Sequence, residues 1–199
     1  MHLQSCQQTR QHIRNHIRQL RRALTADEQQ QAALSVTHCL LSHPKIKQAQ
    51  NISLFLSFDG EIETRGLIEQ LWRHQKQVYL PVLHPFSSGN LLFLHYSPQT
   101  HLIKNRLGIV EPKLDVRHVL PQRELDVIIT PLVAFDSTGQ RLGMGGGYYD
   151  RTLQHWRENG TYPIGIAHDC QRVDSLPIEK WDIPLPEIVT PSQNWKWES

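Results

Sequence analysis

The chain of 199 residues is long enough to bury the core of one domain, and we expect a single domain over residues 1–199. No apolar run approaches the ~20 residues that span a bilayer, and charged residues make up 20% of the chain, so the composition is that of a globular protein outside the membrane. The three cysteines lie far apart without a Cys-x-x-Cys spacing, which excludes a disulfide framework and a cysteine zinc site. Because the first residues lack a basic-then-apolar signal pattern, we expect a cytoplasmic protein.

The net charge of +2 is unevenly distributed along the chain. Residues 1–24 carry +5, because they contain five arginines and no acid, and the rest of the chain is therefore −3. These arginines are Arg10, Arg14, Arg18, Arg21 and Arg22. Arg10 and Arg14 lie one helical turn apart, a spacing that suits either a guanidinium pair binding phosphate oxygens or a solvated basic face.

Two helices are predicted at the start of the chain. The first runs from about Thr9 to Leu24, within a basic segment (residues 1–24) that we expect to pack on the domain. Its predicted core-facing stripe is Ile13, Ile17, Leu20 and Leu24. The second begins after Thr25, whose Thr-x-x-Glu pattern is that of a capping box, and ends at His43-Pro44.

Strand-like runs alternate with helices along the rest of the chain. A strand at Ile52–Phe58, a helix capped by Thr64 and a strand at Val78–Val82 predict the βαβ unit of a parallel sheet. Further strands are expected at Leu91–Tyr96, Asp126–Thr130, Ile164–Ala167 and Ile188–Thr190, and a helix from Tyr148 to about Glu158. Residues 97–125 have no clear periodicity. The pattern as a whole indicates an α/β fold.

Four of the eleven glycines fall within residues 143–147, here called the glycine segment, between a predicted strand and a predicted helix. Glycines let backbone N–H groups approach a ligand closely, and a following helix N-terminus favours phosphate. The alternative is a flexible loop tip, but the placement between strand and helix favours phosphate binding. The segment is neither a Walker A loop nor a dinucleotide-binding fingerprint, because it lacks both spacings.

Three acidic residues near the predicted strands and the glycine segment are either ligand-binding residues or structural ones. Asp150, at the start of the predicted helix, either complements the helix dipole or helps hold Mg²⁺ against a polyphosphate. Glu61 and Glu63 follow the first buried strand, at the strand end where ligands bind in open α/β sheets. The alternative is that these two acids belong only to the connection into the next helix and contact no ligand. No Ser-His or Cys-His arrangement is evident, so no protein nucleophile is expected.

The segment 141–150, Arg-Leu-Gly-Met-Gly-Gly-Gly-Tyr-Tyr-Asp, resembles the signature of the 5-formyltetrahydrofolate cyclo-ligase (5,10-methenyltetrahydrofolate synthetase) family. Further similar segments follow in the family's order and cover nearly the whole chain: residues 10–14, 55–64, 108–112, 126–136, 165–177 and 181–183. The resemblance implies a three-layer α/β sandwich around a largely parallel sheet. It also implies ATP-dependent cyclisation of 5-formyltetrahydrofolate to 5,10-methenyltetrahydrofolate, ADP and phosphate. In this reaction the formyl oxygen attacks the γ-phosphorus, N10 then attacks the activated carbon, and phosphate leaves.

The same resemblance implies a set of site residues. The positions that match ATP-binding positions are Arg10, Arg14, Arg141, Leu142, Gly143, Met144, Gly145, Gly146, Gly147, Tyr148 and Tyr149. Those that match positions near the folate are Leu56, Glu61, Met144, Gly145, Gly146, Gly147 and Tyr148. Asp150 and Asp182 match magnesium ligands, so Mg²⁺ is the implied cofactor. The implied partners are ATP and 5-formyltetrahydrofolate, with no nucleic acid or membrane, and the implied state is a monomer.

Two positions depart from the family pattern. Arg10 stands where many members have lysine, and Gly146 stands where some members have a loop lysine, which leaves more phosphate charge to Arg14, Arg141 and Mg²⁺. Two other functions are compatible with parts of the sequence. A non-catalytic folate or nucleotide binder would keep the glycine segment without turnover. An RNA-binding protein would use the arginine-rich first helix, but a basic excess confined to one helix does not make a broad phosphate-binding surface.

Overall fold

A computed structural model of the chain describes residues 2–197, with side chains from residue 6 onward; residues 1, 198 and 199 of the predicted domain lie outside the described residues. The central strands are β1 Asn51–Ser53, β2 Gln77–Leu83, β3 Leu91–His95, β6 Val119–Leu120, β7 Val127–Pro131, β10 Tyr162–Ile166, β11 Glu187–Val189 and β12 Asn194–Lys196. Among residues 2–197 these eight strands form one sheet, in the order β12-β11-β10-β7-β1-β2-β3-β6. Two short antiparallel pairs lie outside it: β4 Leu102–Lys104 with β5 Val110–Pro112, and β8 Ala134–Phe135 with β9 Arg141–Leu142.

The centre of the sheet is parallel and its edges are antiparallel. Strands β11, β10, β7, β1 and β2 run in one direction, with Ile52 opposite Val78 in β2 and Val127 in β7. β12 on one side, and β3 and β6 on the other, complete the sheet with antiparallel pairs. The predicted βαβ unit is therefore confirmed, as is the largely parallel sheet.

Helices cover both faces of the sheet. Their bounds are α1 His2–Arg22, α2 Ala26–Ser42, α3 Pro44–Gln48, α4 Arg65–Arg73, α5 Tyr148–Leu153 and α6 Trp156–Asn159. Along β7, Val127 and Ile129 face a core that includes residues of α2, α3 and α4, whereas Ile128 faces a core that includes Leu153 of α5 and Trp156 of α6. Because successive side chains of a strand point to opposite faces, these apolar runs supply two cores at once.

α1 packs across one end of the sheet rather than on a face. Its Ile17 joins Val133, Ala134, Leu142 and Leu176 in a third buried cluster. The stripe predicted for this helix was wrong at one position, because Leu20 is 40% exposed while the neighbouring Arg21 is fully buried. Arg21 is buried because its guanidinium donates to backbone and carboxylate oxygens of the adjoining loops, as described below.

Several element boundaries differ from the prediction. β1 covers three residues rather than Ile52–Phe58, since the chain leaves the ladder after Leu54 donates to the Tyr79 carbonyl. The helix expected to reach Glu158 is interrupted after Leu153 and resumes at Trp156. Residues 97–125 contain β4, β5, β6 and two 3-10 helices, Val116–His118 and Gln122–Glu124, none of them long enough to show periodicity.

The caps of the two central helices also differ. The capping box at Thr25 is confirmed, with the Glu28 N–H donating to its hydroxyl over 3.2 Å and the Thr25 N–H donating to the Glu28 carboxylate over 2.7 Å. Thr64 precedes α4 as predicted but does not cap it. Its hydroxyl instead donates to the Phe55 carbonyl over 2.6 Å and closes the loop that follows β1.

Candidate functional site

The carboxyl ends of the parallel strands meet at the edge of the sheet that α1 crosses. The loop of residues 54–64 follows β1, residues 84–90 follow β2, and residues 132–147 follow β7. Ligands of open α/β sheets bind in the crevice at this edge. The candidate site is built from these loops, α1 and the segment before β11.

The glycine segment connects β9 to α5. Gly145 and Gly147 have φ of +104° and +66°, which is the left-handed region that glycine adopts without strain. Residues 144–146 are exposed, and within the described part of the chain no backbone N–H of residues 144–147 donates to a protein acceptor. α5 has only six residues, so fewer peptide units align behind the segment than the predicted helix would supply. The free backbone amides are thus the main feature of this segment available to an anion.

Gly146 accommodates an aromatic ring. A Cβ atom at this position would lie 2.6 Å from Cε2 of Tyr148, closer than real contacts allow. The ring of Tyr148 therefore occupies the space that a side chain at position 146 would need. A lysine at this position would therefore require the Tyr148 ring to move.

Arg14 joins α1 to the glycine segment. Its Nε donates to the Gly143 carbonyl over 2.8 Å, and its guanidinium lies 3.6 Å from the Cβ position of Gly145. Burial, and then the neighbouring charge of Arg10, lower the pKa of Arg14 from its ordinary value. A second positive group thus raises the local potential beside the exposed amides.

Each aspartate predicted to bind magnesium is ion-paired with an arginine predicted to bind ATP. Arg10 Nη2 donates to Asp182 Oδ1 over 2.9 Å, and its Nη1 donates to Asp182 Oδ2 and to the Pro177 carbonyl. Arg141 Nη2 donates to Asp150 Oδ1 over 2.7 Å. The Ile183 N–H also lies 3.4 Å from Asp150 Oδ1, so the chain segment that contains Asp182 passes next to Asp150.

The charged groups of this cluster are desolvated. The hydrogen bonds to Asp182 raise the pKa of Arg10 above its ordinary value. Burial lowers the pKa of Arg141, against the attraction of Asp150, and its Nε has no hydrogen-bond partner among the described residues. We call Arg10, Arg14, Arg141, Asp150 and Asp182 the arginine–aspartate cluster. With three cations and two anions it keeps a net positive charge for an anionic ligand.

This donor set fits Mg²⁺ only when a polyphosphate completes it. Asp150 and Asp182 offer hard oxygen ligands, and Mg²⁺ commonly binds through one or two carboxylates together with substrate phosphates and waters. Among residues 2–197, no three His, Cys, Asp or Glu side chains are grouped as a metal site made by protein alone would require. The residues thus suit a metal that arrives with its phosphates.

Glu61 lies in the loop after β1, at the same edge of the sheet. Its side chain is 11% exposed, Oε2 accepts the Phe58 N–H over 3.1 Å, and Oε1 lies 3.9 Å from Nη2 of Arg21. Burial raises the pKa of Glu61 to about 7, with Arg21 and the Phe58 N–H opposing the rise. Near neutral pH this carboxyl group is therefore able to hold or release a proton.

Three further residues are predicted to contact the substrates: Leu56 and Met144 the folate, and Tyr149 the ATP. Leu56 is half-buried in the same loop and packs against the first hydrophobic core. Tyr149 has a buried hydroxyl with no partner among the described residues, and burial followed by the charge of Glu61 raises its pKa. Met144 is 48% exposed at the tip of the glycine segment. The crevice thus combines apolar surface with two buried groups that have unused hydrogen-bonding capacity.

Two residues of this region were missed in the sequence. Arg151 Nη1 donates to the Gly146 carbonyl over 2.9 Å and to the Gly89 carbonyl over 3.4 Å, so it links the glycine segment to the loop after β2. Asp59 binds several arginines of α1. An available signal was that α1 has five arginines and no acid, so their partners had to come from elsewhere in the chain.

Comparison with known proteins decides the family. The family model described as the 5-formyltetrahydrofolate cyclo-ligase family matches residues 6–191. The chain belongs to this family. A 5-formyltetrahydrofolate cyclo-ligase of Escherichia coli (strain K12) is 62% identical over 181 residues, which are 91% of this chain and 100% of the relative. One from Haemophilus influenzae is 56% identical over 182 residues, 92% of this chain and 97% of the relative.

Similarity extends to a solved structure of the same cyclo-ligase family. The 5,10-methenyltetrahydrofolate synthetase of Aquifex aeolicus has a TM-score of 0.80 to this chain at 28% sequence identity, covering 94% of this chain and 92% of that one. The α/β architecture with a mostly parallel central sheet is shared. No helix in residues 2–197 combines the length and the apolar character needed to cross a bilayer.

Proposed function

We propose that this member of the cyclo-ligase family converts 5-formyltetrahydrofolate and ATP to 5,10-methenyltetrahydrofolate, ADP and phosphate. One observation carries the proposal: the exposed amides of the glycine segment and the arginine–aspartate cluster lie together at the carboxyl edge of the sheet, where the loop after β1 also carries the buried carboxyl group of Glu61. The amides and the arginine–aspartate cluster suit a polyphosphate. The Glu61 carboxyl group suits an organic substrate that is neutral or that forms hydrogen bonds.

In this proposal the polyphosphate binds between α1 and the glycine segment. The backbone N–H groups of residues 144–147 donate to its oxygens, Arg14 adds a charge-assisted hydrogen bond, and Arg10 and Arg141 neutralise further charge. Leu142 and Tyr149, on either side of the segment, are packed in hydrophobic clusters and hold its two ends. Such a site accelerates phosphoryl transfer by positioning and by stabilising charge, and no protein nucleophile is needed.

The folate binds on the side of Leu56 and Glu61, with Tyr148 and the glycine segment between the two substrates. The attacking atom is the formyl oxygen, so the chain has to align this oxygen with the γ-phosphorus and exclude water from the activated carbon. N10 then loses its proton as it closes the ring. The buried carboxyl group of Glu61, whose pKa is raised to about 7, suits hydrogen bonding to the folate near neutral pH.

Asp150 and Asp182 are the residues that would hold Mg²⁺. Bound there with the nucleotide, the metal ion would neutralise charge on the phosphoryl oxygens. Arg10 and Arg141 pair with these two carboxylates, and their guanidinium groups would add positive charge beside the same phosphates.

We also propose that residues 1–199 act as one domain and as a cytoplasmic monomer with small-molecule partners. The contacts of α1 support this view. Arg10, Arg18, Arg21 and Arg22 are ion-paired within the chain and Arg14 donates to the glycine segment, so the helix does not present a free basic face to RNA. Sedimentation of the purified protein at micromolar concentration tests the monomer.

The reaction is tested by mixing the purified protein with 5-formyltetrahydrofolate, ATP and Mg²⁺ and recording near-UV absorbance. We expect a methenyl-type band that grows only when ATP is present, with ADP released in equal amount. Controls omit ATP or replace it with a non-hydrolysable analogue. Substrate binding without an ATP-dependent band, by protein that is folded, would make the chain a non-catalytic folate or nucleotide binder.

A further inference from the structure

The loop that carries Glu61 reverses in a tight turn. The Glu61 N–H donates to the Phe58 carbonyl over 3.1 Å, and the two central residues, Asp59 and Gly60, have φ of +57° and +78°. Asp59 is one of two non-glycine residues with positive φ among residues 2–197. Asp tolerates this region better than most residues do, but it still requires support from its surroundings.

That support comes from α1. Arg18 Nε donates to Asp59 Oδ2 over 2.6 Å, Arg21 Nη2 donates to the same oxygen over 2.9 Å, and Arg22 binds Oδ1. Burial raises the pKa of the Asp59 carboxyl group, but these three arginines outweigh it and hold the pKa below its ordinary value. The Asp59 side chain is only 3% exposed.

Backbone contacts fix the same turn a second time. Arg21 Nε donates to the Asp59 carbonyl over 2.8 Å. A Cβ atom at Gly60 would lie 3.1 Å from the Arg21 carbonyl oxygen, so only glycine lets α1 approach this closely without displacement. The turn and the last turns of α1 therefore form one rigid unit.

Arg21 is shared between Asp59 and Glu61. Its Nη2 lies 2.9 Å from Asp59 Oδ2 and 3.9 Å from Glu61 Oε1. At 3.9 Å the guanidinium attracts the Glu61 carboxyl group without making a hydrogen bond to it. As long as Asp59 holds Arg21, Glu61 keeps an oxygen free for another partner.

We propose that Asp59 is a positioning residue for the folate side of the site: by holding Arg21, it keeps the Glu61 carboxyl group available to the substrate. The inference rests on the proposed function for its substrate. Removing the negative charge of Asp59 leaves Arg21 free to bind Glu61 directly, which withdraws the carboxyl group from the folate. The nucleotide side, held by Arg10, Arg14 and the glycine segment, is not part of this unit.

The groups that face Glu61 come from four elements. Arg21 lies on α1, Asp59 on the same loop and Tyr149 on α5, and the ring of His168, after β10, lies beside the backbone of Gly60 and Glu61. Asp59 raises the pKa of Glu61 and Arg21 lowers it. Loss of the Asp59 charge and a closer approach of Arg21 therefore both lower the pKa of Glu61.

The test compares Asp59→Asn with a matched control, Asp115→Asn. Asp115 is also bound by an arginine, Arg117, but lies before a 3-10 helix outside the candidate site. Calorimetry measures the Kd for 5-formyltetrahydrofolate and, separately, for ADP. We expect Asp59→Asn to weaken folate binding about tenfold or more and to leave ADP binding within about twofold, and Asp115→Asn to change neither.

A second variant keeps the test decisive if Asp59→Asn does not fold. Asp59→Gly removes the same carboxylate, and glycine adopts the φ of +57° at this position without strain. We expect a folate Kd about tenfold higher, and an acid shift in the pH profile of folate binding that adding Glu61→Gln abolishes. Equal losses for folate and ADP, or no change in folate Kd in folded protein, would overturn the proposal. Absence of turnover with folate binding intact would instead count against the proposed function.

Discussion

Arg10 and Asp182 bind each other through both terminal guanidinium nitrogens and both carboxylate oxygens, with Nη2 and Oδ1 2.9 Å apart. Arg10 belongs to the first helix and Asp182 to the segment before β11, so this pair attaches α1 to the C-terminal part of the chain. Arg141 and Asp150 form the equivalent pair inside the site. Residues that the family resemblance divides between nucleotide and metal are thus paired with each other.

The Arg10–Asp182 pair should stabilise the fold. Arg10→Ala leaves a carboxylate that is 5% exposed without its main partner, and we expect a loss of about 3 kcal/mol in the free energy of unfolding. Urea denaturation of both single variants and the double variant measures the coupling, expected at about 1–3 kcal/mol. Additive losses would show that the two side chains contribute independently.

Arg14 should matter for nucleotide rather than folate. Arg14→Ala removes a guanidinium that lies against the glycine segment, and a lost charge-assisted contact of about 1.5–3 kcal/mol corresponds to a KM for ATP that is about tenfold or more higher. Steady-state kinetics with each substrate varied in turn measures this. Arg73→Ala, on the exposed end of α4, is the control. An unchanged KM for ATP would return Arg14 to a purely structural role.

Asp150 should set the magnesium requirement. Asp150→Asn keeps an oxygen for Arg141 and the Ile183 N–H but loses the charge that attracts a cation. We expect half-maximal activity at a Mg²⁺ concentration several-fold higher than in the parent, with little change in the KM for folate. Superimposable magnesium titrations of variant and parent would contradict this assignment.

Glu61 should make stability depend on pH. Its pKa is raised from 4.5 to about 7 in the fold, so the folded state binds more protons than the unfolded state between these values. The stabilising contribution of its protonated form is complete below about pH 4.5 and is lost as the pH rises through about 7, by up to about 3 kcal/mol. Relative to Glu61→Gln, the parent should therefore lose Tm between about pH 5 and pH 8. Parallel Tm curves for the two proteins would be inconsistent with the raised pKa.

Arg151 should hold the glycine segment in its binding conformation. Arg151→Ala removes the hydrogen bonds to the Gly146 and Gly89 carbonyls, and the KM for ATP should rise between about twofold and tenfold, as expected for one or two neutral acceptors. Arg106→Ala, on the exposed β4–β5 connection, is the matched control. Equal KM values for the two variants would leave Arg151 without a role in nucleotide binding.

Much of the fold could be predicted because its signals are local. The βαβ unit, the capping box at Thr25 and the strands β2, β3, β7, β10 and β11 follow from runs of apolar residues and from cap chemistry. The elements of residues 97–125 and the edge strand β12 are two or three residues long, which is too short for periodicity to appear. Thr64 shows a second reason why the prediction failed: a non-local contact. Its hydroxyl donates to the carbonyl of a residue nine positions earlier rather than capping its own helix.

The sequence predicted which residues form the candidate site but not which of them contact each other. The glycine segment and its neighbouring acid are local features, and family resemblance supplied Arg10, Glu61 and Asp182. That Arg10 binds Asp182, 172 residues away, depends on how α1 crosses the sheet, which no local pattern encodes. The burial of Arg21 has the same origin, because its partners Asp59 and Leu132 lie on two separate loops.

The central claim is that the triphosphate binds between α1 and the glycine segment. Hydrogen–deuterium exchange of the protein with and without Mg²⁺ and a non-hydrolysable ATP analogue tests it directly. We predict slower exchange in peptides that cover residues 141–149 and the part of α1 around Arg14, because the free amides of residues 144–147 become hydrogen-bonded to phosphate. Saturating analogue that protects other segments and leaves residues 141–149 unchanged would contradict the claim.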